Sequence, residues 1–296
     1  MRVSDSQILG MLTGNLARTR SRIVTAQQQI SSQKRVSTPE QDPVAYGEVI
    51  EQRGEQSRTQ QWQRNIQFGT QRLELADRTL SQATTALARV RELTIQAGSG
   101  TTSPEGRVAI AKEVRELQKH LVQLANSEIN GQAIFAGTKT DVAPYVLGAG
   151  DNVTYQGNTE SQSVAIGEGL TAQVTIPGGE IFSGPTTNVF DGMRDLLAAL
   201  ETNNVPGVQT GLANIDQAMT QLANAQGRIG GLGNGLETTQ TWLTQADALL
   251  TQTISEHEDA DMAKAITELQ LQEAALQATQ ATISRMFDTS LLNFLR

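Results

Sequence analysis

Between residues 66 and 90, apolar or small side chains recur in alternating steps of three and four: Ile66, Gly69, Leu73, Ala76, Leu80, Ala83, Leu87 and Val90. An α-helix turns once every 3.6 residues, so these positions fall in one narrow stripe and the polar residues between them face away. Held over so many turns, the spacing predicts a long helix packed as in a coiled coil. Large and small residues alternate along the stripe, which suits close antiparallel neighbours. Only 4% of the chain is aromatic, a composition that favours helical bundles over a thick globular core.

The same pattern recurs elsewhere. Leu9, Leu16, Ile23 and Ile30 stand seven apart, with Leu12 between the first pair and Ala26 as a weaker partner. Ser37, Pro39 and Pro43 end that helix, because proline lacks a donor and biases its predecessor away from helix. A second helix is predicted to begin near Val44 and to run to the Gly98-Ser99-Gly100 turn. Ser103 caps a third, with Pro104 in its first position and Glu105 at the positive end of its dipole. Its seam is Ile110, Val114, Leu117, Leu121 and Leu124. Helices return at Val189, Met193, Leu196 and Leu200, then at Val208, Leu212, Ile215, Met219, Leu222 and Ile229, continuing through Leu236, Leu243 and Leu250. The last seam is Met262, Ile266, Leu269, Leu276, Ile283, Phe287 and Phe294, with Glu273 and Gln280 also in seam positions.

The character changes at Asn130-Gly131. Ten of the 26 glycines lie between 131 and 184, with one basic residue, Lys139. Short β-rich runs appear at 133–135, 152–155, 163–166 and 172–176. The fold class expected is therefore mainly α with a small β-rich insertion: a long antiparallel helical rod whose N- and C-terminal helices pair as a coiled coil. The chain goes out, makes the insertion and returns. Three domains are expected: a terminal assembly domain (1–43 with 256–296), a central helical domain (44–137 with 188–255) and an outer β-rich domain (138–187). Because the insertion interrupts the seams, it is expected to be dispensable for the helices.

Composition narrows the function. A net charge of -8 argues against nucleic acid, where affinity comes mainly from cations on phosphates, and against an anionic membrane surface. There is no cysteine, hence no disulfide or thiolate metal site. No apolar run is long enough to span a bilayer, and no conventional secretory signal opens the chain. His120 and His257 have no second histidine at metal-ligand spacing and read as solvated helix residues. No Gly-x-Ser-x-Gly elbow is present. The glycines of 227–235 follow a helix rather than a strand and read as a bend or a close helix crossing, not a phosphate loop. The acidic run 256–261 lacks calcium-loop spacing and reads as the first turn of the last helix. No catalytic residue, cofactor or metal is expected. What survives is the set of terminal seams, Leu9, Leu12, Leu16, Ile23 and Ile30 with Met262, Ile266, Leu269, Leu276, Ile283, Phe287 and Phe294, for which little of the chain is available as cover.

The ends carry a resemblance. Ser32-Gln-Lys-Arg-Val-Ser-Thr-Pro-Glu-Gln-Asp-Pro-Val-Ala45 resembles the flagellin-family N-terminal motif. Glu258-Asp-Ala-Asp261 and the Leu- and Gln-rich helix after it are similar to the family's C-terminus. Asn130-Gly-Gln-Ala-Ile-Phe-Ala-Gly-Thr-Lys-Thr140, Thr267-Glu-Leu-Gln-Leu-Gln272 and Leu291-Leu-Asn-Phe-Leu295 resemble the hook–filament junction branch of that family more than flagellin itself. The resemblance implies a structural subunit of the bacterial flagellum, exported through the hollow flagellum by a type III route without a cleaved signal and residing outside the cell. Its implied partners are further copies of itself, hook-associated protein 1 below, flagellin above, and an export chaperone on the C-terminal helix.

Elementary energetics points the same way. A helix of 28 residues is about 42 Å long, and its narrow seam buries one stripe at about 1.5–3 kcal/mol per large apolar side chain. Ordering each residue's backbone costs about 1–2 kcal/mol. One such helix alone is unfavourable, so the arms are expected to order when many subunits pack. Flagellin proper is the alternative reading. A cytoplasmic coiled-coil signalling rod is a third, and it would call for a sensor or anchor module that the sequence lacks.

Overall fold

The computed structural model of the protein describes residues 2–184 and 187–294, with side chains described for residue 7 and for 10–184 and 187–285. The elements in chain order are α1 (Arg2–Ser32), α2 (Pro43–Gly98), α3 (Pro104–Ala125), β1 (Glu128–Ile129), β2 (Gln132–Ala133), β3 (Tyr145–Leu147), β4 (Val153–Tyr155), β5 (Ser163–Gly167), β6 (Leu170–Gln173), α4 (Gly178–Ile181), α5 (Val189–Glu201), α6 (Val205–Glu258) and α7 (Met262–Phe294). The fold is mainly helical, with short antiparallel hairpins in the middle. The chain divides into two compact units, Met1–Arg58 with Ala246–Arg296, and Thr59–Gln245.

Local chemistry sets the helix starts. The Ser103 side chain accepts the Gly106 N–H at 3.1 Å, ahead of Pro104. Asp42 accepts the Ala45 N–H at 3.1 Å, ahead of Pro43. Asn188 takes the Phe190 and Asp191 N–H groups, and Asp261 takes that of Lys264 at 3.0 Å. Each side chain satisfies an amide that the first turn of a helix leaves without a partner.

In the unit Thr59–Gln245 the expected seams are the core. Ile66, Leu73, Leu80, Leu87 and Val90 of α2 are buried with Ile110, Val114 and Leu121 of α3, Met193 and Leu196 of α5, and Ile215, Leu222, Leu236 and Leu243 of α6. The insertion joins that core, against the expectation that it stands apart. Phe135, Tyr145, Val153, Val174, Ile176, Ile181 and Phe182 belong to the same buried cluster. Phe182 packs edge-on against Phe135 and Tyr145 at 5.6 Å, and Tyr145 meets Phe190 of α5 at 5.0 Å. The helices supply aliphatic seams, whereas the insertion supplies most of the rings. Such pairs contribute about 0.5–1.5 kcal/mol beyond the area they bury.

The strands form three separate hairpins, β1–β2, β3–β4 and β5–β6, and the expected runs 152–155 and 163–166 appear as β4 and β5. Of 133–135 only Ala133 is in a strand, and the rest is buried irregular chain. Of 172–176 the strand ends at Gln173, and beyond it Val174, Thr175 and Ile176 are all buried, so the alternation is lost. Polar bonds seat the insertion. Asn126 pairs with the Tyr145 backbone in both directions at 2.7 Å. Arg115 grips both oxygens of Asp151 at 2.9–3.0 Å and reaches Glu201 at 2.6 Å. Gly69 of α2 is required where the insertion sits, since a Cβ there would overlap the Val174 side chain.

The glycines of 227–235 are a correction. α6 runs through them without interruption, and no atom lies within 4 Å of where a Cβ would stand on Gly227, Gly230, Gly231, Gly233 or Gly235. The close-crossing reading fails among the described residues.

Candidate assembly site

The unit Met1–Arg58 with Ala246–Arg296 is built differently. α1 packs along α7. Leu12, Leu16, Ile23 and Ile30 of α1 are half-buried, and so are Met262, Leu269, Leu276 and Ile283 of α7. Ile266 is 43% exposed. The side chains of Leu9, Phe287 and Phe294 lie outside those described. The fully buried positions are smaller or polar: Ala26, Ala265 and Gln272.

These residues correct the register of the seam on α7. The second row of contacts is Ala265, Gln272 and Thr279, one residue before the Ile266, Glu273 and Gln280 read from the sequence. Glu273 and Gln280 are exposed. In a heptad pattern the strong row (262, 269, 276, 283) sets the spacing, but the weak row can fall three or four residues later. Ala265 and Gln272 carried no apolar signal strong enough to choose between the two. α1 shows the same economy, with Thr19 and Ala26 in its weak row. Small side chains let the two backbones approach, and the large ones are left only half covered.

Where the helices break, the two ends of the chain interlock. Residues 33–42 separate α1 from α2, and residues 259–261 separate α6 from α7. The Arg35 and Val36 N–H groups donate to the Glu258 carbonyl at 2.7 and 3.3 Å, and the Ala260 N–H donates to that of Gln33 at 2.9 Å. Lys34 and Asp259 form an antiparallel bridge. Glu258 is only 6% exposed. Its carboxylate receives Lys34 Nζ at 2.7 Å and Arg53 Nη2 at 2.5 and 2.8 Å. Around it, Arg35 reaches the His257 carbonyl at 2.7 Å and Asp42 at 3.2 Å, and His257 Nδ1 lies 3.2 Å from Glu48. The acidic run is therefore not one solvated first turn. Asp261 does cap α7, but Glu258 ends α6, where the helix dipole disfavours negative charge, and two cations from distant segments offset it. The Ala45 N–H, and after it Arg35, hold the Asp42 carboxyl below its ordinary pKa.

Among the described residues no cluster of three or more His, Asp or Glu side chains could hold a metal, and no helix is long and apolar enough to cross a membrane. His120 is exposed on α3.

Residues 6–140 match the bacterial flagellin N-terminal helical region, and residues 212–295 match the bacterial flagellin C-terminal helical region. The chain belongs to the bacterial flagellin family. Both matched regions contain the interlocked helix breaks, and the arms enter as the first part of one match and the last part of the other. The flagellar hook-associated protein 3 of Salmonella typhimurium is 28% identical to this flagellin-family chain over 321 aligned residues, covering 100% of each. That of Escherichia coli is 29% identical over 288 residues, covering 89% of this chain and 90% of the relative. Among solved structures, a putative flagellar hook-associated protein from Vibrio parahaemolyticus superposes with a TM-score of 0.68 at 22% identity, covering 74% of this chain and 100% of that one. At that identity the likeness speaks to the fold.

Proposed function

We propose that this flagellin-family chain is the structural subunit of the hook–filament junction, joining a zone of hook-associated protein 1 to the flagellin filament. The observation that carries the reading is the unsaturated surface of the α1–α7 pair. Its large seam residues are half covered, and Met11 (64% exposed), Val24 (53%), Ile266 (43%) and Leu271 (61%) lie open to solvent on the same two helices. A two-helix pair cannot enclose that surface alone, whereas copies packed side by side would. Similarity over 100% and 89% of this chain to two proteins named hook-associated protein 3 favours the junction within the family. The role is mechanical, without catalysis. The assembly domain is residues 1–43 with 256–296, and the insertion 138–187 shares one core with the central helices (44–137 with 188–255). The partners are further copies, hook-associated protein 1, flagellin, and a chaperone on α7 before type III export to the cell exterior.

The test is Leu276→Asp. A carboxylate placed on the seam would be buried without a partner in every subunit of an assembled ring, which costs several kcal/mol or forces protonation. The expected result is normal secretion, an unchanged melt of the unit Thr59–Gln245, and lost incorporation at the hook tip. Normal joining of hook to filament by the secreted variant would overturn the seam's role. Purified protein that elongates filaments by itself would replace the junction reading with flagellin proper.

A further inference from the structure

Two outward faces of the unit Thr59–Gln245 carry features that nothing within the chain uses. The first is on α2. Arg72 is 1% exposed, and its Nε and Nη2 have no hydrogen-bond partner. Its Nη1 donates to Gln132 at 3.0 Å, and the guanidinium lies over the Phe68 ring, 5.1 Å from its centre. Phe68 is itself 40% exposed. Arg64, one turn earlier, is exposed and donates to Gln61 rather than to a carboxylate. A buried cation without a counter-charge is unfavourable, so this face is positive and lacks its complement.

The second face is on α6. Gly227, Gly231, Asn234, Thr238 and Trp242 follow in steps of three and four, all exposed, on the side away from the buried Ile229, Leu236 and Leu243. Glycine weakens a helix interior relative to alanine. Yet no atom of the chain lies within 4 Å of where a Cβ would stand on any glycine of 227–235. The missing side chains leave a trough. It runs into a depression lined by Asn234, Glu237, Thr238 and Thr241, and Trp242, 61% exposed, stands just beyond. No lysine or arginine occurs between Arg228 and Lys264. Among the described residues the Glu237 carboxylate has no cation partner.

We propose that these two faces dock on each other between copies of the chain. The Phe68 ring of one copy enters the glycine trough on α6 of the next, and Glu237 of that neighbour meets Arg64 and the charge of Arg72 behind the ring. The inference rests on the assembly reading above. The two faces are complementary in charge, and one offers a projecting ring where the other lacks side chains. They also stand at one height, because a Cβ on Gly69 would be 3.3 Å from Leu236, which places Phe68 level with Glu237. Copies set side by side at one height bring them together. Because the faces differ, the contact is head-to-tail, the kind that repeats around a ring. Both faces sit on the unit whose core is complete within the chain, so they are formed before the terminal arms order.

The chain has no cysteine, so crosslinks can be placed at will. Gln71 and Asn234 are exposed beside the two faces. In flagella from cells that express only Gln71→Cys/Asn234→Cys, a bismaleimide is expected to give a ladder of dimers and higher multimers, whereas each single variant stays monomeric. No ladder from flagella that have incorporated the variant would overturn the docking and leave the junction reading standing. Dimers from either single variant in equal yield would overturn it too, since each face would then meet itself. Location is a separate readout: the chain found along the filament rather than at the hook tip replaces the junction reading, while the ladder still decides the docking. Charge reversal decides if the cysteine variants do not assemble. Glu237→Arg and Arg64→Glu are each expected to lower incorporation about tenfold, with secretion and the fluorescence melt unchanged, and the double reversal to restore most of it. Unchanged incorporation in both single reversals, or no recovery in the double, would overturn the docking.

Discussion

The α2 seam from Ile66 to Val90 and the α7 seam from Met262 to Ile283 share one spacing, yet the molecule treats them differently. On α2 the large residues are fully enclosed by α3, α5, α6 and the insertion. On α7 the large residues are half covered by one partner helix. Periodicity therefore states which face of a helix is apolar, and the number of neighbours decides how much that face contributes. The unit with many neighbours is stable by its own burial. On α1 and α7 the large apolar side chains stay half-exposed, the surface that the proposed assembly would bury.

Four experiments break or sharpen this contrast, and both tryptophans, Trp62 and Trp242, lie in the unit Thr59–Gln245, so fluorescence reads that unit alone. The largest effect is expected from Phe182→Ala, which empties the ring cluster between the insertion and α5. It should lower stability by about 3–5 kcal/mol in urea titrations followed by fluorescence. A change near zero would restore the view of the insertion as a dispensable appendage. Next comes a matched pair. Leu87→Ala should cost about 2–5 kcal/mol, whereas Leu276→Ala should leave the same transition within about 0.5 kcal/mol. Equal losses would show that the two seams are not energetically distinct.

A smaller effect of opposite sign is expected from Gly231→Ala on α6. Nothing stands where the new Cβ would go, and glycine inside a helix is less stable than alanine by roughly 0.5–1 kcal/mol. The fluorescence midpoint should rise, and a fall would mean that the monomer needs glycine there. The smallest effect concerns pH in the other unit. Because the folded pKa of Asp42 is depressed, its contribution is present above the unfolded value of about 3.9 and is lost as pH falls below it, through the folded value. Amide exchange at Ala45 should accelerate in that acid window, and Asp42→Asn should remove the dependence. Acceleration that persists in the variant would assign it to another group.

Sequence alone determined what depends on near neighbours along the chain. Helix faces follow from spacing, as from Ile66 to Val90. Helix starts follow from caps within three residues, as at Ser103-Pro104. The family resemblance rests on contiguous motifs such as 32–45 and 258–261. Tertiary structure alone decided what depends on partners far away in sequence. The weak row of α7 fell on Ala265 and Gln272 rather than Ile266 and Glu273 because α1 chose the register, and small or polar side chains give no signal of their own. Glu258 looked like one more solvated acid until Lys34 and Arg53, more than 200 positions away, were brought to it. The insertion looked separable because its short runs have no helical period, yet rings such as Phe135, Tyr145 and Phe182 gain most by burial wherever a helix leaves space. Spacing is a property of one segment, whereas burial and charge compensation belong to the segments that meet.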